Sequence, residues 1–130
     1  MDPVIHFEMP YDDAARASRF YQQAFGWETQ QMGAEMGNYV VLTTGKEDSR
    51  PDAPRGVIGG GLFGRSADMP AQYPSVVIAV KEVRAAMKRI QDAGGEVLGE
   101  PMQIPGIGLY LSFFDTERNR VSILQPDKMG

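Results

Sequence analysis

The chain has 130 residues, of which 42% are hydrophobic and 23% are charged, proportions typical of one folded domain. It contains no cysteine and a single histidine, His6, which excludes disulfides, thiolate metal sites, a cysteine nucleophile and a metal site of several histidines from one chain. The formal net charge of −4 argues against nucleic acid or anionic lipid as a partner. Since no leader pattern or membrane-length apolar run occurs, the sequence predicts a soluble, cytoplasmic protein.

The first predicted strand carries polar residues on one face. Hydrophobic and polar residues alternate with period two over residues 4–9, which predicts a strand with His6 and Glu8 on the face opposite Phe7. A carboxylate such as Glu8 in the middle of a strand needs either water or a partner. Arg120 is the partner expected if the site is closed to solvent.

A helix and three more strands are predicted in the first half. Asp12 or Asp13 can cap a helix whose apolar residues recur at helical spacing, and Gly26 ends it. Tyr21 and Trp27, near the end of this helix, are expected in the core. The later strands are predicted at residues 27–31, 38–44 and 57–63, with a mobile polar loop at 45–55.

The second half repeats this order of elements. A shift of 69 residues aligns the first predicted helix with residues 82–93 and places His6 on Ser75, and a shift of 71 places Tyr39 on Tyr110. Strands are predicted at residues 75–80, 96–98, 109–114 and 121–125. The chain is therefore predicted to be a single α+β domain over residues 1–130, with two tandem βαβββ units at about 3–63 and 75–126 and a linker at 64–74.

Each predicted unit has a sheet that its one helix covers on one face only. Two such units with their free concave faces side by side form a curved mixed sheet around a trough, and a trough of this shape suits a small-molecule ligand. A homodimer is also expected, because a small sheet has edges to cover.

A run of three glycines lies in the last predicted strand of the first unit. Residues 59–64 formally match GxGxxG, but that dinucleotide-binding motif needs a helix to begin within it. No helical period follows in residues 65–74. We instead expect the glycines to permit close backbone approach at the junction of the units or across a dimer interface.

Six short segments in a fixed order span nearly the whole chain. They are IHFEMP at 5–10, FYQQAFGW at 20–27, GGGLF at 59–63, DAGGEV at 92–97, PMQIPG at 101–106 and FDTERNR at 114–120. Together they resemble the lactoylglutathione-lyase-related branch of the vicinal oxygen chelate (VOC) superfamily, which includes glyoxalase I, bleomycin-resistance proteins and extradiol dioxygenases. The resemblance implies the glyoxalase and bleomycin-resistance fold, and it fixes the fold better than the reaction.

The resemblance also implies metal ligands on the first and last strands of each unit. His6 stands at the first of these positions and is the only ligand retained. Ser75 stands where relatives carry histidine and Ser122 where they carry glutamate, while the fourth position falls within residues 59–63. A hydroxyl is a poor ligand for a divalent transition metal, so no cofactor is expected. A metal held by His6 and Glu8 would need a third ligand from elsewhere.

Two functions stay open from the sequence, and with them the question of whether the protein is an enzyme. The first is a small-molecule-binding protein of the resistance or sequestration type, with a degenerate metal site. The second is an atypical lyase, isomerase or dioxygenase-like enzyme acting on a small carbonyl or carboxyl compound, with His6 and Glu8 as acid and base or as partial metal ligands.

Five further residues are expected to contact the ligand. They are Tyr39, Ser75, Tyr110, Arg120 and Ser122. The two tyrosines can give a ligand both an apolar face and a hydroxyl. The alternative is that they point to the helix side of each sheet, and periodicity does not decide between the two orientations.

Overall fold

The computed structural model describes residues 1–45, 57–69 and 71–127, so almost all of the predicted loop at 45–55 lies outside the described residues. Within these ranges the βαβββ order occurs twice, which confirms the predicted α+β fold. The elements are β1 (Val4–Tyr11), α1 (Ala14–Phe25), β2 (Glu28–Gln31), a short 3-10 helix (Ala34–Met36), β3 (Val40–Thr43), β4 (Gly59–Gly64), β5 (Ser75–Ala79), α2 (Val83–Asp92), β6 (Glu96–Ile104), β7 (Gly108–Phe114) and β8 (Arg120–Pro126). Neither described helix is long and apolar enough to span a bilayer.

The chain divides into two compact units, which we call the first unit (His6–Pro74) and the second unit (Met1–Ile5 with the residues from Ser75 onward). In the first unit the strand order is β2-β3-β4-β1, with β1 parallel to β4 and the other pairs antiparallel. In the second unit the order is β5-β8-β7-β6, with β5 parallel to β8 and the other pairs antiparallel. Both units therefore have mixed sheets, as predicted, whereas a trough shared by the two units stays a prediction.

Helix α1 is fixed at both ends by local chemistry. The side chain of Asp13 accepts a hydrogen bond from the backbone N–H of Arg16 at 3.0 Å, so Asp13, not Asp12, is the N-cap. Gly26 follows the helix with φ of 72°, a left-handed conformation that favours glycine. The residues that the sequence places at the start and end of this helix are therefore the ones that cap it.

The hydrophobic core of the first unit lies between its sheet and α1. Val40, Leu42 and Leu62 are almost fully buried, and Phe7 and Trp27 pack against them. Trp27 therefore packs against the core as predicted, whereas Tyr21 is half-buried and stacks on Trp27 at the edge of the core, with ring centroids 4.8 Å apart. Because Phe7 faces this core, the alternation along β1 directs its polar side chains to the opposite face.

The second unit is built in the same way, except for a longer strand β6. Glu82 caps α2 through the backbone N–H of Ala85, and the core consists of Val80, Val83, Ala86, Leu111, Phe113 and Ile123. Strand β6 continues six residues beyond the predicted end at Leu98, with a register shift between Leu98 and Met102. Gly99, with φ of 82°, and Pro101 lie in this irregularity. Both residue types are typical of turns and strand ends, so the sequence pattern predicts that the strand ends before them.

The glycine run of β4 makes room for aromatic rings from within the first unit. A Cβ atom on Gly60 would overlap the ring of Phe7, and a Cβ atom on Gly61 would overlap Tyr39. The two faces of the strand are thus each covered by one ring. The glycines lie within a strand, as predicted, but side-chain rings of the same unit account for Gly60 and Gly61, instead of the expected backbone approach.

Candidate functional site

Tyr39 connects the two polar side chains of β1. Its hydroxyl donates a hydrogen bond to Oε2 of Glu8 at 3.1 Å and lies 2.9 Å from Nε2 of His6. A phenol has only one proton to donate, and Glu8 accepts it, so His6 must donate from Nε2 to the phenol oxygen. This assigns the proton of a neutral His6 to Nε2 and leaves a lone pair on Nδ1.

The electrostatic environment keeps His6 neutral at pH 7. Burial lowers the pKa of His6 below its ordinary value of 6.5, while the negative charge of Glu8 acts in the opposite direction and is the smaller effect. Glu8 itself is buried, with 8% of its surface exposed. No described residue forms a hydrogen bond with Nδ1 of His6, so this nitrogen can accept a proton or a hydrogen bond from a ligand.

The side chain of Tyr39 also fills the space beside Gly61 on β4, the last strand of the first unit. Glu8 pairs with Gly61 across the parallel β1–β4 ladder, which places both residues at the same level of the sheet. Since a side chain at Gly61 would overlap the Tyr39 hydroxyl, the phenol fills the space above this glycine. Tyr39 therefore points to the His6 face of the sheet, and the alternative orientation toward the helix is wrong for this residue.

A second polar cluster lies in the second unit. The hydroxyl of Tyr110 is 2.7 Å from Oγ of Ser122, which in turn is 3.0 Å from Oγ of Ser112. Arg120 donates from Nη2 to Oγ of Ser112 at 3.2 Å. Both serines are buried, with 2% of Ser122 and 7% of Ser112 exposed. No described contact joins Ser75, the first residue of β5, to this cluster.

Ser112 was not among the residues expected to contact a ligand. It lies directly opposite Ser122 in the antiparallel β7–β8 pair, two residues after Tyr110 and so on the same face. A serine within the otherwise apolar run LSFF was the available signal, because a hydroxyl in a buried strand needs a partner.

The two clusters are built on equivalent positions of the repeat. Glu8 pairs with Gly61 in the first unit and Val77 pairs with Ser122 in the second. The shift of 69 residues places Glu8 on Val77, so Gly61 and Ser122 correspond. A tyrosine hydroxyl lies at each of these last-strand positions. It belongs to Tyr39 at Gly61, 22 residues earlier in the chain, and to Tyr110 at Ser122, 12 residues earlier.

Comparisons with known proteins agree with this architecture. A family model described as the N-terminal region of bleomycin resistance protein-like proteins matches residues 4–45. A glyoxylase-like domain-containing protein from Didymella fabae is 26% identical over 119 residues, which cover 89% of this chain and 88% of that protein. Methylmalonyl-CoA epimerase from Mycobacterium tuberculosis superposes with a TM-score of 0.69 over 96% of this chain and 88% of its own, at 11% identity. In sequence over residues 4–45 and in fold, the chain is similar to proteins of the VOC superfamily.

Another VOC structure, a methylmalonyl-CoA epimerase in complex with methylmalonyl-CoA and NH4+, superposes with a TM-score of 0.70 and 17% identity, covering 98% of this chain and 96% of that one. The TM-scores of 0.69 and 0.70 show a common fold, and at identities of 11% and 17% the likeness shows the fold alone. The substrate in each epimerase's name therefore belongs to that epimerase and is not transferred to this chain.

The side chains of this protein do not fit the metal centre that the superfamily resemblance implies. Among the described residues, no three histidine or carboxylate side chains are grouped closely enough to hold an ion. The position of Gly61 is filled by Tyr39, and the hydroxyl of Ser122 already contacts two other hydroxyls. Nε2 of His6 is engaged by the phenol. We assign no chemical step to a metal on these residues.

Proposed function

We propose that this protein is a member of the VOC superfamily and binds a small organic molecule through hydroxyl and imidazole groups at the positions where the superfamily resemblance implies metal ligands. The observation that carries the proposal is the Tyr39 hydroxyl above Gly61, hydrogen-bonded to both His6 and Glu8. A hydroxyl held in this way presents a fixed dipole to a ligand, and the phenol ring adds apolar contact area. The function is then binding of the resistance or sequestration type.

The second cluster supports a ligand with a carbonyl or carboxyl group. The hydroxyls of Tyr110, Ser122 and Ser112 form a hydrogen-bonded chain that ends at the guanidinium of Arg120. Hydroxyl donors next to a guanidinium favour an oxygen with partial or full negative charge. The acyl-CoA compounds bound by the neighbouring epimerase structures carry such oxygens, which is compatible with the proposal without naming the ligand.

A thermal-shift screen of small carboxylates and carbonyl compounds tests the proposal. A compound that binds only the native state raises the unfolding temperature, and we expect such hits to persist when a chelator is present. Tyr39→Phe should weaken the hits, whereas Tyr73→Phe, an exposed tyrosine of the same unit, should leave them unchanged. A stoichiometric divalent ion in untagged protein, with hits lost on chelation, would contradict metal-free binding.

An enzymatic function is the second candidate, and it is favoured by the state of His6. A neutral imidazole with its Nδ1 lone pair directed to no described residue is suited to accept a proton from a carbon acid. Glu8 would then act as a positioning residue, because it holds the Tyr39 hydroxyl that orients the ring. Turnover of a screening hit that is lost in His6→Ala, with the fold intact, would establish this function; turnover unchanged by that substitution would exclude His6 as the base.

We also propose that the chain forms a homodimer. Among the described residues, β2 lies at an edge of the first unit's sheet and β6 at an edge of the second unit's sheet, and strand edges favour pairing with another chain. Light scattering after size-exclusion chromatography should give twice the mass of the chain. A monomer at micromolar concentration would contradict the proposal.

A further inference from the structure

A cavity of about 510 Å³ lies in the first unit between α1, the end of β1 and residues near the end of the unit. Met9 and Leu62 line it, and Met9 packs with the core on the helix side of β1. The cavity is therefore on the face of β1 opposite His6 and Glu8. Its volume falls within the range of roughly 300–1,000 Å³ that is common for small-molecule sites. We infer that this cavity is a separate binding site for a small organic anion with an aromatic or otherwise apolar body.

The walls of the cavity supply the apolar surface for such a body. Phe20 and Tyr21 line it together with Ala17, and the ring of Phe20 meets Tyr21 edge to face with centroids 5.0 Å apart. Phe20 nevertheless keeps 56% of its surface exposed. Covering an exposed aromatic ring with an apolar ligand removes that surface from water, which favours binding.

An arginine side chain at the cavity is available to pair with an anionic ligand. Asp12 and Asp13 both line it, but Asp13 accepts the hydrogen bond that caps α1 and Asp12 pairs with Nε of Arg65 at 2.9 Å. Arg16 lines the same cavity. No described residue accepts a hydrogen bond from its guanidinium or forms an ion pair with it.

The two carboxylates and two guanidinium groups of the lining balance in formal charge, but they are not equally available to a ligand. Both carboxylates accept hydrogen bonds from described residues, while the guanidinium of Arg16 forms no ion pair with a described residue. Arg65 uses Nε for Asp12 and Nη1 for the carbonyl oxygen of Gln72, so Nη2 is not used by a described residue. In the proposed complex a carboxylate, sulfonate or phosphate pairs with the Arg16 guanidinium and with Nη2 of Arg65, while its apolar body covers Phe20.

Two fluorescent probes with nearly the same aromatic body test the inference. 8-Anilinonaphthalene-1-sulfonate carries the anionic group, and N-phenyl-1-naphthylamine lacks it. Arg16→Gln should weaken sulfonate binding about fivefold, which is about 1 kcal/mol at 1.4 kcal/mol per factor of ten, and should leave binding of the neutral probe unchanged. Arg19→Gln is the matched control, because Arg19 is an exposed arginine of the same helix that does not line the cavity.

A second variant predicts the opposite sign. Asp12→Asn releases Arg65 from its ion pair and should tighten binding of the sulfonate without changing that of the neutral probe. The proposal is overturned if Arg19→Gln weakens the sulfonate as much as Arg16→Gln. It is equally overturned if the neutral probe responds to both charge variants as the sulfonate does, or if neither variant changes sulfonate binding.

The position of the probe is tested with two phenylalanines of α1. Phe20→Ala should weaken both probes, whereas Phe25→Ala should not, because Phe25 is 65% exposed but does not line the cavity. Equal losses in the two variants would place the probes on the exposed aromatic surface and overturn the proposal. Circular dichroism and thermal unfolding verify the fold of each variant. Tyr39→Phe should leave sulfonate binding unchanged, which separates this site from the one described above.

Discussion

The hydroxyl of Tyr39 occupies the space that a side chain at Gly61 would need, although 22 residues separate the two in sequence. The absence of a side chain at 61 is therefore what allows the phenol to reach His6 and Glu8 on the neighbouring strand. A ligand side chain at position 61 and the tyrosine in this orientation exclude one another.

Gly61→Ala should destabilise the protein, because the added methyl group overlaps Tyr39. Overpacking of this kind costs about 1–3 kcal/mol in the free energy of unfolding, which urea unfolding measures. Gly64→Ala in the same strand is the control, since its Cβ would lie 3.5 Å from the Tyr11 hydroxyl, an ordinary contact. In a Tyr39→Ala background the cost of Gly61→Ala should largely disappear. Equal stability of Gly61→Ala and the wild type would show that Tyr39 does not occupy this space.

Tyr39→Phe should destabilise the first unit without changing its packing volume. The substitution takes a donor from the buried Glu8 carboxylate and an acceptor from Nε2 of His6. Hydrogen bonds to charged groups contribute about 1.5–3 kcal/mol, so a loss in that range is expected from urea unfolding. Tyr73→Phe, at a tyrosine that is 71% exposed, should change the stability by much less. If both variants lose the same amount, the hydrogen bonds of Tyr39 are not the cause.

Local patterns predicted the elements and the polar face of β1, but not the contacts that build the site. Alternation placed His6 and Glu8 on one face, and Gly26 ended α1, because both features depend on neighbouring residues only. The orientation of Tyr39 depends on Gly61, a residue that is distant in sequence and next to it in the sheet. Periodicity cannot include such a dependence. Periodicity likewise does not predict that Ser112 lies beside Ser122, because this contact depends on the pairing of β7 with β8.

Asp13→Ala should remove the N-cap of α1. The side chain of Asp13 accepts the hydrogen bond of the Arg16 backbone N–H at 3.0 Å, and loss of such a cap costs about 0.5–2 kcal/mol. Asp12→Ala is the matched control, because it removes only an exposed ion pair with Arg65, a contribution of about 0–1 kcal/mol. Thermal unfolding monitored by circular dichroism compares the two. A larger loss of stability in Asp12→Ala than in Asp13→Ala would show that Asp13 is not the N-cap.

The pKa of His6 can be measured directly, because the chain has one histidine and hence one set of imidazole resonances. Burial lowers this pKa below 6.5 and Glu8 partly opposes the shift, so an NMR titration should give a midpoint below that of a histidine in an unfolded peptide. Glu8→Gln removes the opposing negative charge and should lower the pKa of His6 further. A midpoint that rises in Glu8→Gln would contradict the assigned roles of burial and charge.

The same shift predicts how stability depends on pH. Because the folded-state pKa of His6 lies below the unfolded value of 6.5, the unfolded chain binds the proton first as the pH falls. The free energy of unfolding should therefore be fully maintained by this group above about pH 6.5 and decrease below it. The decrease should stop once the pH passes the folded-state pKa, where both states are protonated. His6→Gln removes the titrating group, so the difference between wild type and variant in urea unfolding isolates the contribution of His6. A difference that grows as the pH is lowered from 8 to 7, above the unfolded pKa, would rule out His6 as its source.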